Sequence, residues 1–174
     1  MHKIGSVFVE NFEKLSSAPL KTDETFNNPS CGLIITLIAR PNTAGTLPSG
    51  LSREENDSFL NIGDHSEVRI QFKDDSGKPV LVTEVGFHWA THPDYTDEDA
   101  KQDAIDASAK RITFAEPVRM ELRREGKAYA WNNYTPPSKA WTQVEMKNIE
   151  LDEILFTTSR RGKVHFDHFT WKIA

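Results

Sequence analysis

Apolar and polar residues alternate along much of this chain, and a period of two marks a strand with one buried face. In "SEVRIQF", residues 66 to 72, Val68, Ile70 and Phe72 point one way and Arg69 and Gln71 the other. The polar turn "DDSGKP" leads into "VLVTEVGFHW", so these two runs predict a β-hairpin. "SVFVENFEKL", residues 6 to 15, reads as an opening strand with Phe8 and Phe12 in one phase, followed by a polar loop. "LIITLIA", ending at Ala39, is β-branched and apolar on both parities, as expected of a central strand covered on two sides. Residues 40 to 59 carry two Pro and two Gly without a period and predict a long surface excursion.

Further strands are expected in "RITFAE" and in "PVRMELRREG", where Val118, Met120 and Leu122 alternate with Arg119, Glu121 and Arg123. "KAYAWNNYTPPSKAWTQVEM" places a Pro-rich aromatic loop between two more. "IELDEILF" and "KVHFDHFTW" form a last pair joined by "TTSRRG". One segment has a different signature. "TDEDAKQDAIDASAKR" opens on Thr96 and three acids and closes on Lys110 and Arg111, which predicts a short surface helix near residues 97–110. Eight or nine strands with one helix and no repeat point to an all-β fold, an antiparallel β-sandwich of jelly-roll type, as a single domain over 1–174.

The last strand breaks phase. In "VHFDHFTW" the apolar side chains fall at Val164, Phe166, Phe169 and Trp171, a step of three where two is expected. A β-bulge at Asp167 and His168 produces such a step while keeping one face buried. The pattern apolar, x, apolar, Asp, x, apolar, x, apolar, together with the Phe-Glu pair of "NFEKL" at 11 to 15, resembles the jelly-roll modules of carbohydrate-binding domains. The resemblance implies a structural calcium where the first and last strands meet, with Glu13 and Asp167 as ligands and Glu10 as a further one. Calcium takes six to eight oxygens, so two or three acids would be only a start. Alternatively, Asp167 hydrogen-bonds backbone groups freed by the bulge.

Composition narrows the partners. The 174 residues are enough for one sizeable core, and the net charge of -5 lacks the positive field that holds a phosphate backbone, so nucleic acid is not an expected partner. No apolar run approaches the roughly 20 residues that span a bilayer. Glu10, Asn11 and Glu13 interrupt the opening segment before a signal peptide could form, so the chain is expected to be secreted or at the cell surface if a leader was removed, and cytoplasmic otherwise. Cys31 stands alone beside an apolar strand and reads as a buried thiol.

Candidate chemistry centres on rings. "YAWNNYTPP" presents Tyr129, Trp131 and Tyr134 with Asn132 and Asn133 between them, off any central strand because of Pro136 and Pro137. Sugars offer apolar faces to rings and hydroxyls to amides, so these five residues are candidate ligand-binding groups for a glycan or cell-surface polysaccharide. A core role for Tyr129 and Trp131, which share a parity, is the competing reading. "HWATH" spaces His88 and His92 four apart, but the strand pattern and Pro93 argue against the helical zinc geometry that spacing suggests. No nucleophile elbow is present. The basic runs "SRRGK" and "RMELRREGK" would form a patch for an anionic glycan or a solvated face. The expected function is non-catalytic, lectin-like carbohydrate binding. The alternatives are a structural or assembly subunit of a secreted, phage or toxin-like complex, expected as a homo-oligomer, and a polysaccharide-active enzyme using the acids of 53–57 and 150–153 in one groove.

Overall fold

The computed structural model describes residues 7–10, 12, 18–19, 25–27, 33–39, 49–54, 57–74, 76–138 and 140–174. Glu13, Cys31 and the whole 40–48 stretch lie outside these. The strands are β1 (Val7–Glu10), β2 (Ala18–Pro19), β3 (Thr25–Asn27), β4 (Ile34–Ala39), β5 (Gly50–Glu54), β6 (Asp57–Ile62), β7 (Glu67–Gln71), β8 (Val82–Thr91), β9 (Val118–Arg124), β10 (Lys127–Tyr134), β11 (Thr142–Leu151), β12 (Glu153–Thr158) and β13 (Val164–Ile173). Helix α1 (Asp97–Ser108) lies between β8 and β9.

Two antiparallel sheets face each other. The first runs β11-β8-β13-β6-β5-β2, with β1 also on β13, and the second runs β10-β9-β12-β7-β4-β3. If β6 to β13 are taken as eight consecutive strands, the first sheet holds the first, eighth, third and sixth, and the second sheet holds the second, seventh, fourth and fifth. That order is a jelly roll, in which every link except the β9–β10 hairpin crosses between sheets. Two expected pairings therefore fail. β7 and β8 touch only through the Lys73–Pro79 bridge before entering different sheets, and β12 and β13 also part. Alternation shows which side chains are buried but not which sheet buries them, so it cannot distinguish a hairpin from a crossover.

Three further expectations change. Part of the 40–59 excursion is a hairpin, because β5 pairs with β6 from Gly50↔Asn61 to Glu54↔Asp57. "RITFAE" forms no strand, although Phe114 is buried. "IELDEILF" is split between the end of β11 and β12, in opposite sheets.

The core lies between the sheets. Phe87 packs on Phe156, Phe166 and Phe169 at ring separations of 5.9, 5.6 and 5.2 Å. Ile35, Leu37, Val68, Ile70, Val118 and Ile154 fill the second sheet's inner face and are all but inaccessible to water.

β13 explains its own phase slip. Its pairing with β8 jumps from Asp167↔His88 to Thr170↔Gly86, and His168 takes a left-handed φ of 52°. On its other side, Val164 to Phe166 pair with β6, whereas Phe169 to Lys172 pair with β1. The bulge thus lets one strand change neighbours without losing its buried face.

Helix α1 starts with a capping box: Thr96 Oγ1 accepts from the Asp99 amide, and Asp99 Oδ2 accepts from the Thr96 amide at 2.9 Å. It stops at Ser108, short of Lys110 and Arg111. Charge anchors it instead of apolar contact. Asp103, fully buried, accepts from Ser159 Oγ at 2.7 Å and from Arg161 Nη1 at 2.9 Å, while Asp106 accepts from Arg161 Nη1 at 2.9 Å. The basic turn "SRRGK" therefore serves as the helix's dock.

Candidate functional site

The outward face of the second sheet can be read off its registers. With Val118, Met120, Ile154, Phe156, Val68 and Ile70 turned inward, their neighbours face out in rows across the strands. One row runs Trp131, Glu121, Leu155, Arg69, Thr36, and beside it runs Asn133, Arg119, Thr157, Glu67. The next row is Ala128, Arg123, Glu153, Gln71, Ile34. β10 is the edge strand of this sheet, which leaves Trp131 60% exposed.

Trp131 is exposed but held in place. The Arg119 guanidinium sits 4.6 Å from the Trp131 ring centroid and 4.7 Å from that of Phe114, so it lies against both rings. Its Nε donates to Asn133 Oδ1 at 2.9 Å, which leaves the Asn133 amide hydrogens available as donors. A planar cation that stacks and donates at once fixes ring and amide together, which a lysine could not do.

Beyond Trp131 the face is lined with balanced charges. Glu153 is buried and lies 3.2 Å from Arg123 Nε and 3.9 Å from Arg69 Nε. Burial raises its carboxyl above the usual range, and Arg123 and then Arg69 oppose that rise. Arg123 also donates to the Gly126 carbonyl at 2.7 Å.

The five expected ligand residues do not form one platform. Trp131 and Asn133 share the outer face, whereas Tyr134 has the opposite parity and packs its ring 5.3 Å from Trp89. Asn132 accepts from the Asn133 amide at 2.9 Å. Tyr129 sits where the β9–β10 register slips between Ala128 and Ala130, so it does not share the parity of Trp131. It is 51% exposed and lines a groove of about 530 Å³ with Lys127, Asn148, Ile149 and the Arg124–Glu150 ion pair. Arg119 and Phe114 were not legible as partners of Trp131, because the sequence does not show the register of β9 against β10.

The acids expected at the β1–β13 junction are placed in part. Glu10 and Asp167 are both 4% exposed, and Glu10 lies opposite Phe169. Glu10 Oε1 accepts from the Phe12 amide at 2.8 Å, and Asp167 Oδ1 accepts from the His168 amide at 2.7 Å. Among the described residues no three His, Cys, Asp or Glu side chains converge on a metal-sized site. Both carboxylates thus accept hydrogen bonds from the chain's own backbone.

The first sheet's outer face carries a second aromatic group. Trp141 stacks on His165 at 4.3 Å, with Phe59 and His92 edge-on to the same imidazole at 5.3 and 5.5 Å. Burial, reinforced by His92, pulls His165 down to about 4. The folded chain therefore holds this imidazole neutral, while an unfolded chain protonates it near pH 6.5. Its contribution is complete above about pH 6.5 and is lost as pH falls toward 4. Thermal melts across this window should show a falling melting temperature, and His165→Phe should flatten that part of the profile.

No protein-family model matches this sequence, and no curated protein matches it. Solved structures of similar shape exist. The K2 cleaved adhesin domain of Lys-gingipain aligns at TM-score 0.49 and 11% identity, covering 97% of this chain and 100% of that one. A family 29 carbohydrate-binding module from Piromyces equi aligns at TM-score 0.42 and 9% identity, covering 97% and 92%. A low-affinity xylan-binding module from Roseburia intestinalis aligns at TM-score 0.36 and 10% identity, covering 98% and 97%. The jelly-roll architecture of this chain stands on its own strand order.

Proposed function

We propose that this protein is a non-catalytic carbohydrate-recognition module that receives a glycan on the outer face of its second sheet. The observation that carries this reading is Trp131, a large ring left 60% exposed on an edge strand yet pinned by Arg119. An exposed tryptophan costs solvation, and pinning it reduces the ordering entropy lost when a flat apolar sugar face stacks on it. Asn133 supplies donors for hydroxyls beside the ring, while Asn132, Tyr129 and Tyr134 lie off this face. A glycan partner fits a secreted or cell-surface protein.

The polysaccharide-enzyme reading needed the acids of 53–57 and 150–153 in one groove. Strands β5 and β6 lie toward one edge of the first sheet and β11 forms its other edge, with β8 and β13 between them. That separation across the sheet favours the binding reading over the enzymatic one. A glycan array read with and without calcium tests the proposal directly. Retention of defined glycans is expected, and an array without any signal would overturn the reading.

A structural calcium at the β1–β13 junction, held by Glu10, Glu13 and Asp167, belongs to the same reading and draws support from the burial of Glu10 and Asp167 on paired strands. An ion that binds only the folded chain stabilises it by mass action. EDTA is then expected to lower the melting temperature by several degrees, with CaCl2 restoring it. An unchanged melting temperature would leave Asp167 solely as the acceptor that closes the bulge.

A further inference from the structure

The bulge in β13 does more than change strand neighbours. By inserting His168 it brings that side chain, 52% exposed, next to His88 on β8, and the ring centroids lie 5.2 Å apart with planes inclined at 23°. The two residues are eighty apart in sequence and form no motif. Asp167 Oδ2 lies 2.8 Å from His168 Nδ1. A carboxylate there accepts the Nδ1 proton and fixes the tautomer whose Nε2 lone pair is free. Metal-binding imidazoles are commonly oriented in this way, with the far ring nitrogen donating to a carboxylate.

We propose that His88 and His168 form a surface site for a divalent transition ion of the zinc, copper or nickel type, with solvent completing the coordination. Imidazole nitrogens favour these ions over calcium or magnesium. The spacing also fits. With Zn–N bonds of about 2.0–2.1 Å, two imidazoles on one tetrahedral ion have centroids about 5 Å apart. The terminal torsion of a histidine is broad, which leaves the His88 ring free to reorient toward a shared ion. Gln143 on β11, in register with His88 and donating to Glu145 Oε1 at 2.9 Å, faces the same solvent. Asp167 is a positioning residue here, so this site is independent of the glycan face on the other sheet.

The test is calorimetric titration of the chelator-treated, dialysed full chain with ZnCl2. Saturable binding of one Zn2+ per chain is expected. His88→Ala and His168→Ala should each weaken it about tenfold or more, Asp167→Asn should weaken it about 10–100-fold, and His165→Ala should leave it unchanged. Nitrogen-15 spectra of the imidazoles should show zinc shifting His168 Nε2 while Nδ1 keeps its proton. No saturable binding by the wild-type chain would overturn the proposal. So would equal affinity in a folded His168→Ala variant, or a zinc-shifted Nδ1 in place of Nε2.

Discussion

Trp131→Ala is expected to reduce glycan affinity by about 10–100-fold while moving the melting temperature by no more than about 4 °C. Stacking a sugar face on an indole buries roughly 60–100 Å² of apolar surface, and at about 25 cal/mol per Å² this gives about 1.5–2.5 kcal/mol. Each 1.4 kcal/mol is a factor of ten in affinity. Stability changes little because the ring is mostly in water already, and its loss removes a cation–π contact worth about 0.5–1 kcal/mol. Arg119→Ala should weaken binding less, by about threefold to tenfold, because the ring survives but is no longer held. Arg119→Lys keeps the charge but loses the planar fork, so it should resemble Arg119→Ala more than the wild type. Isothermal titration with an array-identified glycan measures all three, and wild-type affinity in Trp131→Ala would move the site elsewhere.

Asp103→Ala is expected to lower the melting temperature by about 6–20 °C. Asp103 is fully buried and accepts from the Ser159 hydroxyl, the Arg161 amide and the Arg161 guanidinium. Removing one partner of a buried ion pair typically costs about 3–5 kcal/mol, because the remaining charge is left uncompensated. In a domain of this size, each kcal/mol shifts the midpoint by about 2–4 °C. Because Asp103 joins helix α1 to the β12–β13 turn, the loss should also release the helix, seen as faster amide exchange over residues 97–108. Asp103→Leu combined with Arg161→Met, which replaces the pair with apolar groups, should recover much of the loss. A midpoint within 2 °C of wild type for Asp103→Ala would show that the helix is held by other contacts.

Much of the fold was legible because its signals are local. The Thr96 cap and the acids of the first turn gave the helix, and the step of three in "VHFDHFTW" gave the bulge that the β8–β13 register shows. What failed depended on distant partners. The hydrophobic pattern of β7 and β8 is that of a hairpin, yet each strand finds its neighbours in a different sheet. The helix carries little apolar surface, and only the fold brings Arg161 to Asp103 and Asp106. In β10, a one-residue slip at Tyr129 undid the shared parity with Trp131, so the candidate rings separated onto different surfaces. The bulge that places His168 was legible, but its meeting with His88 was not, because the sequence does not show that β8 pairs with β13.

β13 occupies the centre of the first sheet, flanked by β8 on one side and by β6 and then β1 on the other. Until it docks, β8 and β6 each present an unsatisfied backbone edge to solvent, and β1 has no sheet to join. Closure therefore requires bringing together segments from opposite ends of the described chain, at a loop-closure cost that must be met before any pairing compensates it. High contact order of this kind belongs with folding in milliseconds to seconds. In that interval the bare edges invite pairing with other chains, so low concentration during refolding should favour recovery of the folded sandwich over aggregate.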